Sequence, residues 1–168
     1  MRLWIAEPVL DEITRLADAF APLETGGVLV GWRSGGDRVV AAALGPGPRA
    51  LHGRHMFIPH DAWQIAAIDR LFALSGGDLD YLGDWHTHPD GIAAMSALDR
   101  KTLRKLGRKT ADAVMAIAAP EQGRWRLAAW RQPRGGWLDR PEAEGCEMVP
   151  FAPGAQAADW ARLAHGLE

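Results

Sequence analysis

Two histidines and an aspartate have the residue types and the spacing of a metal site. His86 and His88 are two positions apart in the stretch 83–89, GDWHTHP, and ten residues separate His88 from Asp99. On an extended strand the two imidazoles project to one side, because side chains alternate with period two. A loop and the first turn of a helix can return the carboxylate to them. Two imidazoles and one carboxylate leave a fourth position open, as in catalytic zinc sites. We therefore expect one zinc ion per chain at these three residues.

Such a site also needs a general base, and Glu24 is the best candidate. It directly precedes the stretch 25–32, TGGVLVGW, which predicts a buried strand with glycines at its entry. Glycine in a strand often marks the close approach of another backbone. We expect a substrate to lie against this strand, beside the carboxylate. Without the His-x-His-Pro motif, Glu24 would be interpreted as an exposed glutamate at a loop end.

This arrangement resembles the JAB/MPN metalloprotease family, also called JAMM. Its pattern is a distant Glu, then His-Ser/Thr-His-Pro, six residues, Ser, two residues and Asp. The matching residues are Glu24, His86, Thr87, His88, Pro89, Ser96 and Asp99. The wider string 81–89, YLGDWHTHP, looks most like the small prokaryotic branch, some members of which accompany ubiquitin-like conjugation machinery in anti-phage loci. The resemblance implies a single JAB/MPN domain over residues 1–168, an α/β fold with a curved mixed β-sheet flanked by helices and related to cytidine deaminase.

The chemistry expected of these groups is hydrolysis of a peptide or isopeptide bond without a covalent intermediate. A bound zinc ion lowers the pKa of water from about 15.7 towards about 7. Glu24 would take the water's proton and later deliver it to the leaving amine. The Ser96 hydroxyl would help the metal to stabilise the oxyanion. Ser96 also has a purely structural interpretation, because the sequence 96–99, SALD, is that of a helix N-cap with an acidic third residue.

By resemblance, the substrate is a ubiquitin-like protein or its conjugates, cut after the C-terminal glycine. Activating (E1-like) and conjugating (E2-like) enzymes of the same system are further expected partners. Two alternatives stay open. One is a protease that processes a sulfur-carrier protein in cysteine or cofactor biosynthesis, and the other is a non-catalytic JAB/MPN interaction scaffold. Scaffold versions usually lack one or more ligands, whereas every ligand position is filled here.

The composition is that of a soluble globular protein, with 48% hydrophobic and 24% charged residues and a formal net charge of −2. No global basic excess indicates nucleic-acid binding, and no apolar run approaches the length of a membrane span. The N-terminus lacks the apolar run of a signal peptide. We therefore expect a cytoplasmic protein without nucleic-acid or membrane partners.

The single cysteine, Cys146, argues against two other chemistries and suits a reducing compartment. Cys146 lies in a late segment without a nearby histidine, which argues against a cysteine nucleophile. A zinc deaminase would need His-x-Glu together with Pro-Cys-x-x-Cys, and one cysteine cannot supply it.

Strands and helices alternate along the chain, which predicts an α/β domain. Strands are expected at 3–6, 25–32, 38–44, 80–88, 112–119, 124–131 and 146–151. Helices are expected at 7–20, 60–74, 97–108 and 155–167. The apolar face of the second helix is predicted to be Ile65, Ile68, Leu71 and Phe72. Residues 49–55 are expected to be irregular, and their two histidines, His52 and His55, to be solvated; by resemblance this region can touch the ubiquitin-like partner.

The third predicted helix carries a run of cations: Arg100, Lys101, Arg104, Lys105, Arg108 and Lys109. Such a run is most often a solvated face, and cations near a helix C-terminus are favourable. The alternative is a docking patch for an acidic partner. Most of the eight tryptophans are expected to be core residues, whereas Trp85, which lies beside the metal ligands, is expected to shape the substrate channel.

Overall fold

An eight-stranded mixed sheet organises the chain in the computed structural model, which describes residues 1–135 and 141–166. Its strands are β1 (Arg2–Ala6), β2 (Gly26–Ser34), β3 (Asp37–Leu44), β6 (Asp80–Thr87), β7 (Val114–Glu121), β8 (Arg124–Arg131), β9 (Glu144–Gly145) and β10 (Glu147–Phe151). The hairpin strands β4 (Leu51–Gly53) and β5 (Met56–Ile58) form a separate small sheet. The helices are α1 (Glu7–Phe20), α2 (Asp61–Leu74), α3 (Ala97–Lys109) and α4 (Ala155–His165). The predicted α/β class is confirmed.

The large sheet is curved so far that its two ends meet. Its strand order is β10-β1-β3-β2-β6-β7-β8-β9, with β1 parallel to β10 and β3, β6 parallel to β7, and the other pairs antiparallel. The first and last strands of this order, β10 and β9, are separated in the chain by Cys146 alone. The Cys146 amide donates a hydrogen bond to the Ala129 carbonyl of β8. The predicted strand 146–151 is confirmed as β10, and the short strand β9 just before it pairs at the opposite end of the sheet.

Helices cover both faces of the sheet. Alternate residues of β7 show this, because side chains alternate between the faces of a strand. Val114, Ala116 and Ala118 belong to one buried cluster with Val9, Ile13 and Leu16 of α1. Met115 and Ile117 belong to another, with Leu103 of α3. On β2, Leu29 faces the α1 cluster, while Val28 and Val30 pack with α2 and α4. Among the described residues, no helix is long and apolar enough to cross a membrane.

The predicted apolar face of α2 is wrong in part. Leu71 is buried as predicted, but Ile65 and Phe72 are exposed, and the residues buried beside Leu71 are Gln64 and Ala67. Apolar residues lie all round this helix, so their spacing does not select one face. Ala67 is small and packs in the buried cluster, and the Gln64 side-chain amide donates to the Gly45 carbonyl at 2.9 Å, which satisfies a buried polar group.

The glycines at the start of β2 make room for the chain's own backbone. A Cβ on Gly26 would lie 2.4 Å from the Trp85 carbonyl oxygen, and one on Gly27 would lie 1.8 Å from that of Leu44. These atoms belong to β6 and β3, the two neighbours of β2. The expected close approach is therefore present, but its partners are the adjacent strands.

Candidate active site

Strand β6 and the turn after it bring two imidazoles together. His86 Nε2 and His88 Nε2 are 3.1 Å apart. The His88 amide donates to the Ala118 carbonyl of β7, which ties the chain down one residue beyond the end of β6. His88 Nδ1 lies 3.2 Å from the Ile92 carbonyl, an acceptor, so Nδ1 carries the proton and Nε2 presents a lone pair. Burial, followed by repulsion from His86, lowers the pKa of His88 and favours this neutral form.

The first turn of α3 supplies the carboxylate. Ser96 caps the helix: its Oγ accepts from the Asp99 amide at 3.2 Å, and its own amide donates to Asp99 Oδ2 at 2.7 Å. This capping box orients Asp99 towards the imidazoles. Burial raises the pKa of Asp99, but hydrogen bonds from His86 and Ser96 outweigh burial and hold the pKa below its ordinary value. The carboxylate is therefore ionised at neutral pH.

The three side chains fit a divalent metal. Asp99 Oδ1 is 3.3 Å from His86 Nε2, and Asp99 Oδ2 is 3.5 Å from His88 Nε2. Ligand bonds of about 2.0–2.1 Å in a tetrahedron place neighbouring ligand atoms roughly 3.3–3.4 Å apart. One ligand atom from each residue lies within 4.8 Å of the others. Two nitrogens and one ionised oxygen also form a donor set suited to zinc and its neighbours in the first transition row.

Glu24 lies in the wall of the same cavity. This cavity has a volume of about 850 Å³. Its lining includes all five predicted site residues: Glu24, His86, His88, Ser96 and Asp99. Glu24 is half-buried, and burial is the main cause that raises its pKa above the ordinary 4.5. The five residues named from the sequence thus line a single cavity.

Two buried threonines join the Glu24 segment to the strand of the histidines. The Thr25 amide donates to Thr87 Oγ1 at 2.9 Å, and the Thr87 amide donates to the Thr25 carbonyl at 2.8 Å. Both residues are fully buried. Thr87 stands between the two histidines and points to the other side of β6, as strand alternation requires. The sequence analysis gave Thr87 no role. Its place between the two histidines predicts that its side chain lies on the opposite side of the strand from theirs.

The cavity continues beyond the metal donors along β6. Asp84 is two residues before His86 and on the same side of the strand. Its Oδ1 accepts from the Tyr81 hydroxyl at 2.6 Å. Burial raises the pKa of Asp84 to about 6. Helices α2 and α3 and the hairpin β4–β5 all contribute residues to the cavity lining. The sequence analysis missed Asp84. Its position two residues before His86 and four before His88 predicts that it lies on the same side of the strand.

Three other expectations concern residues around the site. Trp85 is 1% exposed, packs in the core and donates its indole N–H to the Leu44 carbonyl. It is therefore mainly a core residue. His52 is not a solvated loop histidine, because it is half-buried in hairpin β4–β5. His55 is exposed and lines the cavity. The six cations of α3 are exposed, as predicted for a solvated face.

The pattern of a known family matches this fold and this site. A family described as prokaryotic homologs of the JAB domain matches residues 6–131, which is 126 of the 168 residues. The matched span contains Glu24, both histidines and the capping box of α3. This chain belongs to the prokaryotic JAB-domain family. The family resemblance noted from the sequence is thereby confirmed.

Several relatives of this JAB-domain protein carry names of enzymes. The protein named "Probable metalloprotease y4qB" of Sinorhizobium fredii is 32% identical over 134 residues, which cover 76% of this chain and 82% of that protein. The "CD-NTase/cGAS isopeptidase" of Vibrio cholerae is 34% identical over 82 residues, which cover 49% of this chain and 53% of that protein. The chain thus matches about half the length of that isopeptidase.

A solved structure shows the same fold. The solution structure of protein DSY2949 from Desulfitobacterium hafniense matches with a TM-score of 0.70 over 92% of this chain and 96% of that protein, at 19% identity. This likeness concerns the fold alone. Family membership, the metalloprotease relative and the His-His-Asp cluster together make the JAB-domain protein an enzyme of the metalloprotease type.

Proposed function

We propose that this JAB-domain protein is a zinc-dependent isopeptidase that hydrolyses the amide bond after the C-terminal glycine of a ubiquitin-like protein. The observation that carries the proposal is the group of three candidate metal donors within 4.8 Å of one another, in a cavity that Glu24 also lines. A donor set of two neutral imidazoles and one carboxylate, with no fourth protein ligand, is that of catalytic zinc.

In this proposal His86, His88 and Asp99 hold the metal, which when bound supplies an acidified water and polarises the scissile carbonyl. Glu24 takes the proton of the attacking water on its carboxylate and then gives it to the leaving nitrogen. Ser96 can donate its hydroxyl hydrogen to the developing oxyanion, because the cap interaction occupies only a lone pair of Oγ. The C–N bond breaks, the glycine carboxylate and the free amine leave, and no covalent intermediate is needed.

A protein substrate is supported by the surface around the cavity. Met56, Ile65 and Leu98 line the cavity, yet they are 48%, 58% and 69% exposed. Exposed apolar side chains grouped at a cleft are typical of protein-binding sites. Strands β4 and β5 form a small sheet of their own, and β4 bonds to the Glu24 backbone, so an extended tail could add to the outer edge of β5.

The names of the relatives support the isopeptide bond as the target. Besides the Vibrio cholerae protein, relatives in Escherichia coli and Pseudomonas aeruginosa are named CD-NTase/cGAS isopeptidase. We extend that activity to this chain and place it in a bacterial ubiquitin-like conjugation system of phage defence. Activating and conjugating enzymes of that system would then make the conjugates that this enzyme removes.

The test uses a bacterial ubiquitin-like protein as the probe, joined through its C-terminal glycine either to a lysine side chain or to a linear reporter. Wild-type protein, Glu24→Gln and His88→Ala are compared by intact mass and metal content. We expect wild type to cut after the glycine, Glu24→Gln to keep about one zinc and lose roughly 10²–10⁴-fold in rate, and His88→Ala to lose the metal. Full cleavage by Glu24→Gln, or by metal-free protein, would refute the proposal.

A further inference from the structure

The backbone of Glu24 is held on both sides by strand β4. The Glu24 amide donates to the Gly53 carbonyl at 2.8 Å. His52 Nδ1 lies 2.9 Å from the Glu24 carbonyl, and since that carbonyl can only accept, Nδ1 is the donor. These two bonds fix the peptide groups before and after the Cα that carries the carboxylate. Glu24 itself lies outside every helix and strand, so its position depends on such contacts.

The donor of one of these bonds is itself fixed by aromatic packing. The His52 ring stacks on Phe20, the last residue of α1, with centroids 4.0 Å apart and an angle of 16° between the planes. Phe57 of β5 also packs against the His52 ring, in a tilted arrangement with centroids 5.6 Å apart. Stacking of this kind restricts the rotation of the imidazole. The Nδ1–H is therefore aimed at the Glu24 carbonyl before any substrate arrives.

We propose that His52 is a positioning residue for Glu24. It sets the place of the Glu24 carboxylate relative to the metal donors by holding the Glu24 carbonyl, and it touches neither the metal nor the reacting bond. This inference rests on the proposed function of Glu24 as general base. Misplacement of a reacting group by about 1 Å can lower a rate roughly 10²-fold, so His52 acts on the turnover rate more than on substrate affinity.

Two variants separate the hydrogen bond from the ring packing. His52→Phe keeps an aromatic ring against Phe20 and removes the donor. His52→Asn removes the ring but carries an amide N–H at the same number of bonds from the backbone as Nδ1. We expect His52→Phe to lower kcat at least tenfold, with KM changed less than twofold and with wild-type metal content and Tm. His52→Asn should recover most of the lost kcat.

A double variant tests whether His52 acts through Glu24. If it does, His52→Phe should not lower the residual rate of Glu24→Gln any further, because the positioned group is already disabled. An additional tenfold loss in that background would overturn the proposal. So would a loss confined to KM, which would place His52 in substrate binding, and so would an unchanged kcat in His52→Phe.

Crystal structures give a readout that does not depend on activity. In His52→Phe we expect the Glu24 carboxylate to move by about 1 Å or more from its wild-type position, while His86, His88 and Asp99 stay in place. An unmoved carboxylate would refute the role of His52. Absence of cleavage by the wild-type enzyme would instead count against the proposed function, so the two failures are distinguishable.

Discussion

At the scale of single residues, two carboxyl groups in one cavity have opposite electrostatic surroundings. Burial dominates at Glu24 and raises its pKa. At Asp99, hydrogen bonds from His86 and Ser96 outweigh burial and lower the pKa. Two carboxyl groups whose pKa values are shifted in opposite directions typically have different roles in one active site. The lowered pKa of Asp99 suits a metal ligand, and the raised pKa of Glu24 suits a group that takes up and releases a proton.

The raised pKa of Glu24 predicts the acid limb of the pH profile. A general base works in its ionised form, so activity should fall as the pH drops through the pKa of Glu24, and the midpoint should lie above 4.5. The measurement is kcat/KM against pH, with metal content determined at each point, because protonation of the histidines also releases metal. A midpoint at or below 4.5 with the metal retained would contradict the prediction.

Ser96 should contribute to both stability and rate. Ser96→Ala removes the N-cap acceptor and should lower the free energy of unfolding by about 1 kcal/mol. It also removes the proposed oxyanion donor and should lower kcat roughly 10²-fold. Ser96→Thr keeps the hydroxyl and serves as the control in denaturant unfolding and cleavage assays. An unchanged kcat in Ser96→Ala would show that Ser96 acts only as the N-cap of α3.

At the scale of elements, the site depends on the register between β2 and β6. Gly26 pairs with His86 and Gly27 with Trp85. Just before β2, Thr25 bonds to Thr87 through both backbone and side chain. The segment that carries Glu24 and the strand that carries the histidines are thereby joined at adjacent positions. The capping box of α3 then adds Asp99 from a third element.

Thr87→Val should weaken this junction without changing the shape of the side chain. The buried Thr25 amide would lose its acceptor, which costs on the order of 1–3 kcal/mol in the free energy of unfolding. We also expect slower cleavage, because Glu24 adjoins Thr25. Thr87→Ser keeps the hydroxyl and is the matched control in thermal unfolding. Equal Tm values for Thr87→Val and wild type would show that the bond is not stabilising.

At the scale of the whole molecule, an ion-pair network spans the curved sheet away from the cavity. Asp112, just before β7, pairs with Arg38 of β3 at 3.1 Å and with Arg131 of β8 at 3.0 Å. Arg131 also pairs with Glu144 of β9. Strands β3 and β7 are not neighbours in the sheet. The network therefore joins strands that the hydrogen-bond ladder does not.

Asp112→Ala should lower the free energy of unfolding by about 3 kcal/mol, because Arg38 is 5% exposed and would lose its carboxylate partner. The matched control is Arg126→Ala, whose ion pair with Glu121 is exposed and should be worth roughly 0–1 kcal/mol. Denaturant unfolding measures both. Metal content should stay at the wild-type value in each, and a loss below about 1 kcal/mol in Asp112→Ala would contradict the prediction.

The grouping of His86, His88 and Asp99 was predictable because it depends on local rules. Strand alternation places His86 and His88 on one side, and a capping box places Asp99 at the start of a helix. Each rule acts over a few residues and is readable from spacing alone. The family pattern added Glu24 and Ser96, and the positions of most strands and helices followed from periodicity and turns.

Other features were decided by contacts between distant parts of the chain. The face of α2 depends on which neighbour it meets: Gln64 and Ala67 turn inward, and Ile65 lines the cavity. Residues 49–55, expected to be irregular, contain β4, whose His52 reaches Glu24 across 28 positions. The Thr25–Thr87 bonds join residues 62 positions apart. Side-chain types and short spacings predict which groups can react, whereas the place of Glu24 is set by long-range packing that no local pattern encodes.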